Sequence, residues 1–387
     1  MTERWDIEPE ILLDIPVQAR SLQRLSRRER AVYRRARAVL AAGGGARSLL
    51  LADIPLAGLG VYEALLAHSW AVRVSDPQAM TDLARVAVEV AGGFAALGPE
   101  RAADLRARAL GEMANAYRAA DRLRSAEQAF GEAYALLQEG TGDPYLKARL
   151  FDLEASLLGT WREFPLALRR LAGLTGLYQD LGEPHLAGRA LITRALYTSY
   201  SGRTEEAVQL NAEGLALIDR GGDPVLYMMA VHNHLLFLVD LGQHAQAKRM
   251  LFEHRCHLIY QDGVGALRFR GLEGRISYGL GELVSAEIAF REAKDGLVRA
   301  GMSIHVALIT LELGMVLLSQ GRVEEAEREV NEAREIFLSL EIYRELLGSV
   351  VYLEECFRRR EATAELMEST IAFLRRRALE IVPQRPR

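Results

Sequence analysis

Residues 110–133, LGEMANAYRAADRLRSAEQAFGEA, carry two short apolar patterns in succession. Within each pattern the apolar residues recur three and four positions apart, which places their side chains on one face of an α-helix. The first pattern consists of Leu110, Met113, Ala114 and Tyr117, and the second of Ala126, Phe130 and Ala133. The alanines let two helices approach closely, and the larger side chains fill the space beside them. The stretch therefore predicts a pair of helices packed against each other.

The same pair recurs along the chain. The alanine of the second helix appears six times, at steps of 41, 40, 40, 39 and 40 residues: Ala126, Ala167, Ala207, Ala247, Ala286 and Ala326. An acidic residue followed by proline, a helix-start signal, recurs every 40 residues at Asp143-Pro144, Glu183-Pro184 and Asp223-Pro224. Glycines that end the first helix keep the same interval at Gly202, Gly242, Gly281 and Gly321. One structural unit is therefore repeated.

From about residue 103 to residue 360 the chain resembles the tetratricopeptide-repeat family, in a long-period bacterial form. The family's usual period is about 34 residues, whereas this one is near 40, which longer helices would explain. The resemblance implies an all-α fold, a right-handed superhelical solenoid of antiparallel helix pairs. It also implies a long inner surface of the kind that commonly binds peptides or the ends of protein chains.

Four segments are predicted. Residues 1–45 form a basic helical N-terminal segment, residues 46–102 an irregular helix pair or cap, residues 103–345 the repeat array, and residues 346–387 degenerate capping helices with a disordered tail. Within the first segment, residues 20–37 are expected to be one helix.

Composition excludes several classes of protein. The net charge of −4 gives no overall attraction to nucleic acid or membranes, and two cysteines 100 residues apart provide no disulfide framework. No apolar stretch approaches the roughly 18 residues that a membrane helix needs, and the N-terminus lacks a signal-peptide pattern. We therefore expect a cytoplasmic protein that does not bind membranes.

No catalytic motif stands out, so we expect a protein that is not an enzyme and uses no cofactor. His254, Cys256 and His257, with His232 and His234, are metal-ligand residue types, but they complete no known ligand spacing. We therefore predict no metal site.

The first helix of each pair should direct another face toward the inner surface. On this inner face, the residue two before the first core position is called the leading position. The other residues of the face lie three, seven and ten positions after it. The leading positions are Arg108, Arg149, Arg189, Met229, Arg268 and Leu308. Guanidinium groups separated by amides and hydroxyls suit an extended ligand that carries carboxylates. The predicted residues for binding a peptide or protein partner are Arg108, Asn115, Arg118, Arg149, Arg189, Asn233, Arg268, Arg275 and Tyr278.

Two alternatives stay open on this surface. The arginines could instead pair with nearby acids such as Asp104, Asp152 and Glu273. The last part of the surface is apolar, and this wall either takes a partner helix or is covered by the C-terminal cap. Its residues are Leu308, Leu311, Met315 and Leu318.

Residues 20–37 contain eight arginines and one acid, Glu29, together with an apolar stripe. Such a segment could contact the phosphates of a nucleic acid, dock on a partner or on the array, or only cap it. The prediction for the whole chain is a non-enzymatic scaffold or sensor in bacterial regulation, which binds protein or peptide in its groove. The alternative is a transcriptional regulator whose basic N-terminal helix binds nucleic acid.

Overall fold

The computed structural model describes residues 16–43, 45–73, 75–258, 263–339 and 344–378. In these residues the chain forms 19 α-helices, one short 3-10 helix at Ala95–Leu97, and no β-strand. Up to the middle of the chain the helices are α1 (Pro16–Arg24), α2 (Arg27–Ala41), α3 (Ala46–Leu51), α4 (Leu59–Ala71), α5 (Pro77–Gly92), α6 (Pro99–Ala119), α7 (Leu123–Glu139), α8 (Pro144–Thr160), α9 (Phe164–Asp180) and α10 (Pro184–Tyr200). They continue as α11 (Thr204–Leu217), α12 (Pro224–Asp240), α13 (His244–Leu258), α14 (Val264–Gly279), α15 (Leu283–Arg299), α16 (Ser303–Ser319), α17 (Val323–Ser339), α18 (Arg344–Arg358) and α19 (Ala364–Ala378). The predicted all-α class and its succession of helix pairs are confirmed.

The helices belong to two compact units, which divide in sequence between Tyr197 and Thr198, inside α10. We call them the N-terminal unit and the C-terminal unit. In the N-terminal unit the first helices of successive pairs are α4, α6, α8 and α10; in the C-terminal unit they are α12, α14 and α16. Each unit buries its own apolar clusters between neighbouring helices.

The turn inside each pair has one residue in the left-handed region of backbone space. These residues are Asp121, Arg162, Gly202, Gly242, Gly281 and Gly321, with φ between 58° and 80°. Glycine adopts this conformation without a steric penalty, which explains its recurrence at four of the six turns. Five residues after each of them lies the repeated alanine, fully buried in every copy. The predicted register of the repeat is confirmed.

The acid–proline pairs do begin helices, although the acids act differently. Asp143 accepts a hydrogen bond from the backbone N–H of Tyr145 (2.9 Å), and Asp223 from that of Leu226 (2.9 Å), so both satisfy free amides of the first turn. The longer side chain of Glu183 instead accepts a hydrogen bond from the hydroxyl of Tyr145 (2.7 Å). Glu183 therefore ties α10 to the start of α8.

The basic segment is not the single helix expected for residues 20–37. It breaks at Leu25 and Ser26, where the buried Leu25 ends the first helix and Ser26 caps the second by accepting from the N–H of Glu29 (3.2 Å). The Glu29 carboxylate accepts a hydrogen bond from the N–H of Gly60 (2.6 Å), at the start of α4. A Cβ at Gly60 would lie 2.3 Å from the Glu29 carbonyl oxygen, so only glycine permits this approach. Glu29, the one acid of residues 20–37, thus fixes α2 on α4.

Within the described part of the chain, no helix has the length and the apolar character that crossing a membrane requires.

Candidate functional site

In the N-terminal unit, the leading arginines bind carboxylates of the preceding helix pair. Arg108 on α6 donates to both oxygens of Glu63 on α4 (2.7 and 2.9 Å), and Arg149 on α8 binds Glu112 on α6 in the same bidentate manner (2.7 and 2.9 Å). Arg189 on α10 donates to Asp152 on α8 (3.1 Å). We call these three pairs the charge ladder.

Two pairs of the charge ladder are buried, and in the third the side chains of Arg189 and Asp152 are 7 % and 14 % exposed. The side chains of Arg108 and Glu63 are 4 % and 1 % exposed, and those of Arg149 and Glu112 are 4 % and 6 % exposed. Burial alone would lower the pKa of each arginine, but the adjacent glutamate outweighs it, so the pKa of both Arg108 and Arg149 is raised. These guanidinium groups are therefore held charged and neutralised within the fold, rather than facing solvent. Their predicted contact with a ligand stays a prediction.

Two further predicted residues lie together on α6. Arg118 donates its Nε–H to the Oδ1 atom of Asn115 (3.0 Å), and both side chains are buried. The Nδ2 amide of Asn115 has no hydrogen-bond partner among the described residues. A buried amide donor without an acceptor costs free energy, which a ligand oxygen could recover.

Arg268 on α14 differs from the leading arginines of the N-terminal unit. Among the described residues, no carboxylate forms an ion pair with it, and burial lowers the pKa of its guanidinium, which the nearby Tyr200 only partly offsets. Its charge acts on two half-buried histidines, His232 on α12 and His305 on α16. Burial first, and Arg268 second, lower the pKa of each histidine to about 4. At neutral pH this cation thus lies close to two neutral imidazoles, and no acid of the described residues pairs with it.

The other predicted residues of the C-terminal unit differ from Arg268 in the partners that they have. Arg275, two turns after Arg268 on α14, donates to Asp240 (2.8 Å) and lies 3.6 Å from the carboxylate of Glu312. Tyr278, one turn further, has its hydroxyl 3.3 Å from that of Ser319. Asn233 is buried on α12 next to His232. The first helices of this unit therefore carry a row of polar groups. Within the described residues Arg275 has acidic partners, whereas Arg268 has none.

The apolar wall of α16 is covered by the C-terminal helix. Met367, Ile371 and Leu374 of α19 are buried in one cluster with Leu311 and Met315. Of the two alternatives that the sequence left open, the structure shows a cap in this position.

The histidines near residue 250 are engaged separately. His234 lies 3.3 Å from the amide of Asn211, the ring of His232 packs edge-on against Phe269, and His254 lies 2.9 Å from the hydroxyl of Tyr227. The side chains of Cys256 and His257 lie outside the described residues. In the described part of the chain, no three histidine, cysteine, aspartate or glutamate side chains come together as a metal site.

The arginines of the basic segment are mostly exposed. Arg20 stacks on the ring of Tyr145 (3.7 Å to its centroid), and Arg30 donates to the carbonyl oxygens of Leu25 and Gln23 (3.0 Å each). The segment is therefore part of the N-terminal unit, where Arg20 contacts α8, and most of its guanidinium groups face solvent.

Of the acids in the charge ladder, only Asp152 was predicted from the sequence as a partner of the leading arginines, and Glu63 and Glu112 were not. Glu112 lies four residues after Arg108, and Asp152 three residues after Arg149, so an acid follows the leading arginine by one turn in both repeats. That recurrence was the available signal. The other two acids predicted as partners bind elsewhere: Asp104 accepts from the N–H of Thr141 (3.2 Å), and Glu273 pairs with Arg270.

Comparison with known proteins identifies the fold. No protein-family model matches the chain, and no curated protein matches it in sequence. Among solved structures, the apo form of RapI matches with a TM-score of 0.54 at 14 % identity, over 74 % of this chain and 78 % of that chain. Aspartyl phosphate phosphatase F from Bacillus subtilis matches with a TM-score of 0.55 at 12 % identity, over 71 % and 70 %.

Two further matches cover more of the chain. A Rap protein complexed with competence and sporulation factor matches with a TM-score of 0.51 at 12 % identity, over 93 % of this chain and 99 % of that one. A signal-transduction ATPase with a tetratricopeptide-repeat sensor, from Pyrococcus horikoshii, matches with a TM-score of 0.51 at 14 % identity, over 92 % and 53 %. These likenesses show the fold: the chain is an array of helix pairs of the tetratricopeptide type.

Proposed function

We propose that this protein is a non-enzymatic scaffold or sensor in bacterial regulation, and that the first helices of its C-terminal unit bind a peptide or protein segment that carries a carboxylate. The observation that carries the proposal is Arg268, a partly buried guanidinium without a described acidic partner. The likeness to a Rap protein complexed with competence and sporulation factor is compatible with this role.

The contrast between the two units supports the choice of site. In the N-terminal unit every leading arginine has its own carboxylate, so a ligand would have to displace a buried ion pair. Arg268 requires no such exchange. A buried charge without a partner destabilises the free protein, and an incoming carboxylate would relieve that cost. Binding energy at this point is therefore largest for an anionic group.

The neighbouring groups fit an extended ligand. Arg275 and Tyr278 follow Arg268 along the same helix, and His232 lies on the preceding first helix. The Nδ1 atom of His232 is buried without a hydrogen-bond partner in the described residues. A neutral imidazole can donate or accept a hydrogen bond beside a bound carboxylate, and a hydroxyl can bind a backbone group.

The test is capture of peptides from a synthetic random heptapeptide library by the immobilised full chain, with bound peptides identified by mass spectrometry. One library carries a free C-terminal carboxylate and a second is amidated. We expect peptides from the first library to be enriched, and acidic side chains to be favoured in both. The Arg268→Gln variant should lose this enrichment, because it removes the charge and keeps a polar side chain.

The matched control is Arg299→Gln, which changes an exposed arginine in the last turn of α15. It should capture the same peptides as the wild type. Equal capture by the wild type and Arg268→Gln would contradict the proposal. Tight binding of a short DNA duplex, with a steep loss as salt increases and with no dependence on Arg268, would instead favour a regulator that binds nucleic acid through residues 20–37.

A further inference from the structure

The C-terminal helix α19 lies on a first helix, α16, and not only on its own partner α18. The α16 face consists of the leading position and the residues three, seven and ten positions later: Leu308, Leu311, Met315 and Leu318. On α14 the corresponding positions are Arg268, Gly271, Arg275 and Tyr278. The same surface is thus polar on one helix and apolar on the next.

The contact resembles that of a ligand helix in a groove. Met367, Ile371 and Leu374 stand at i, i+4 and i+7 on α19 and are at most 3 % exposed. The intervening Glu368 and Ser369 are exposed, so no described residue covers this part of α19. A helix that inserts one apolar ridge and leaves its other side in solvent makes the contact by which amphipathic helices bind receptor grooves.

Two details of α16 adapt it to such a ridge. Gly314 leaves space for Met367, whose terminal methyl lies 3.2 Å from the position that a Cβ of residue 314 would occupy. Glu312 is 2 % exposed and pairs with Arg375, the residue directly after the ridge. The face therefore combines an apolar slot with a buried carboxylate beside it.

The basic end of α19 is held against another cation. Arg375 shares Glu312 with Arg275, which also has Asp240. Desolvation of Arg375, and next the charge of Arg275, lower its pKa well below the usual range for arginine. If α19 leaves, Glu312 keeps Arg275 as a partner, so release of α19 strands no buried carboxylate.

We propose that the α16 face is a docking site for an amphipathic helix of a partner protein, and that α19 occupies it in cis until such a helix replaces it. The partner helix carries an apolar ridge at i, i+4 and i+7 followed by a basic residue, as α19 does. This site adjoins the proposed carboxylate site at Arg275, which shares Glu312 with Arg375, but among the described residues no ion pair or hydrogen bond joins α19 to Arg268 itself.

The probe is a fluorescent synthetic peptide with the sequence of residues 361–378, EATAELMESTIAFLRRRA. Its binding to three forms of the full chain is measured by fluorescence anisotropy: wild type, Ile371→Asp and Ala372→Asp. Ile371→Asp removes the centre of the resident ridge, whereas residue 372 is exposed and serves as the matched control. Because a resident helix reduces apparent affinity by the fraction of time that the face is free, we expect Ile371→Asp to bind the peptide about tenfold more tightly than the other two forms. A peptide that itself carries the Ile371→Asp change should not bind.

Hydrogen exchange on the wild-type chain provides a second measurement that needs no variant. An excess of the unlabelled peptide should accelerate exchange at the amides of α19 and leave those of α15 unchanged. The proposal is overturned if the peptide alters neither, or if a folded Ile371→Asp chain fails to bind it. The same experiments on Arg268→Gln should give the wild-type result, so a failure of the proposed carboxylate site leaves this outcome unaffected.

Discussion

Glu112 and Arg149 are joined by two hydrogen bonds of 2.7 and 2.9 Å across two successive helix pairs, and both side chains are buried. Each of these residues lies one turn from another charged residue on its own helix, Arg108 and Asp152 respectively. Each leading arginine of the N-terminal unit is therefore matched by an acid of the preceding pair. This relationship makes the leading arginines of this unit first of all structural.

Arg149→Met should lower the free energy of unfolding by about 3–5 kcal/mol, because it leaves the buried carboxylate of Glu112 without its guanidinium. The double variant Arg149→Met with Glu112→Gln should recover most of that loss, since it removes both charges. Urea unfolding of the two single variants and the double variant measures the coupling. Independent, additive effects would show that the pair contributes no interaction energy.

Arg268→Met should leave stability unchanged or raise it by about 1 kcal/mol, because it removes a partly buried charge that has no described acidic partner. Arg189→Met is the matched change in the N-terminal unit and should destabilise, since it takes a partner from Asp152. Thermal unfolding of the two variants side by side gives the comparison. Equal destabilisation by both changes would mean that Arg268 is structural as well.

Acid should weaken the C-terminal unit through His232 and His305. Their pKa in the folded chain is about 4, whereas a histidine in the unfolded chain titrates near pH 6.5. The unfolded chain therefore binds protons first, and the free energy of unfolding falls as the pH drops from about 6.5 to about 4, by about 3 kcal/mol for each histidine. Urea unfolding at several pH values in this range gives the free energy of unfolding, which should depend less steeply on pH for His232→Gln than for the wild type. An unchanged slope would contradict the assignment.

Glycine and non-glycine residues can be exchanged in opposite directions at two equivalent turns inside the helix pairs. Arg162→Gly should stabilise the chain by about 0.5–1 kcal/mol, because arginine holds a left-handed conformation there that glycine adopts freely. Gly242→Ala at the equivalent turn should destabilise by about 1–2 kcal/mol for the same reason. Melting temperatures that move in the same direction for both variants would contradict the equivalence of the two turns.

Ala207 reports on helix packing inside the repeat. Ala207→Phe should cost about 1–3 kcal/mol, because the alanine is fully buried on α11 and a large ring would overpack the site. Ala212→Phe, five residues later on the same helix but exposed, is the control and should be nearly neutral. Chemical unfolding distinguishes the two, and tolerance of both would mean that the repeat register is misplaced at this pair.

The sequence predicted what depends on local spacing. The repeated alanines and the glycine turns follow from residues a few positions apart, and every copy reinforces the same register. Which acid pairs with which arginine on another helix was harder to predict from the sequence. Glu63 lies 45 residues from Arg108, and their contact depends on how α4 packs against α6.

The position of α19 was open for a related reason. Its ridge of Met367, Ile371 and Leu374 predicts an amphipathic helix, but many helices in the array present an apolar face that could receive it. For Arg268, the sequence pattern does not distinguish a paired arginine from an unpaired one. Its residue type and spacing match those of Arg149, and only the absence of a facing acid in the described structure separates the two.

The charge ladder also bears on how the chain could lengthen or shorten. Because each joint in the N-terminal unit matches an acid of one helix pair with the leading arginine of the next, the joints are interchangeable. Recombination that removed one whole pair there would bring Glu112 opposite Arg189, and no buried charge would be stranded. Met229 and Leu308 interrupt this alternation in the C-terminal unit. Homologues of this protein should therefore differ in the number of helix pairs mainly before the position of Tyr197, and keep the same number after it.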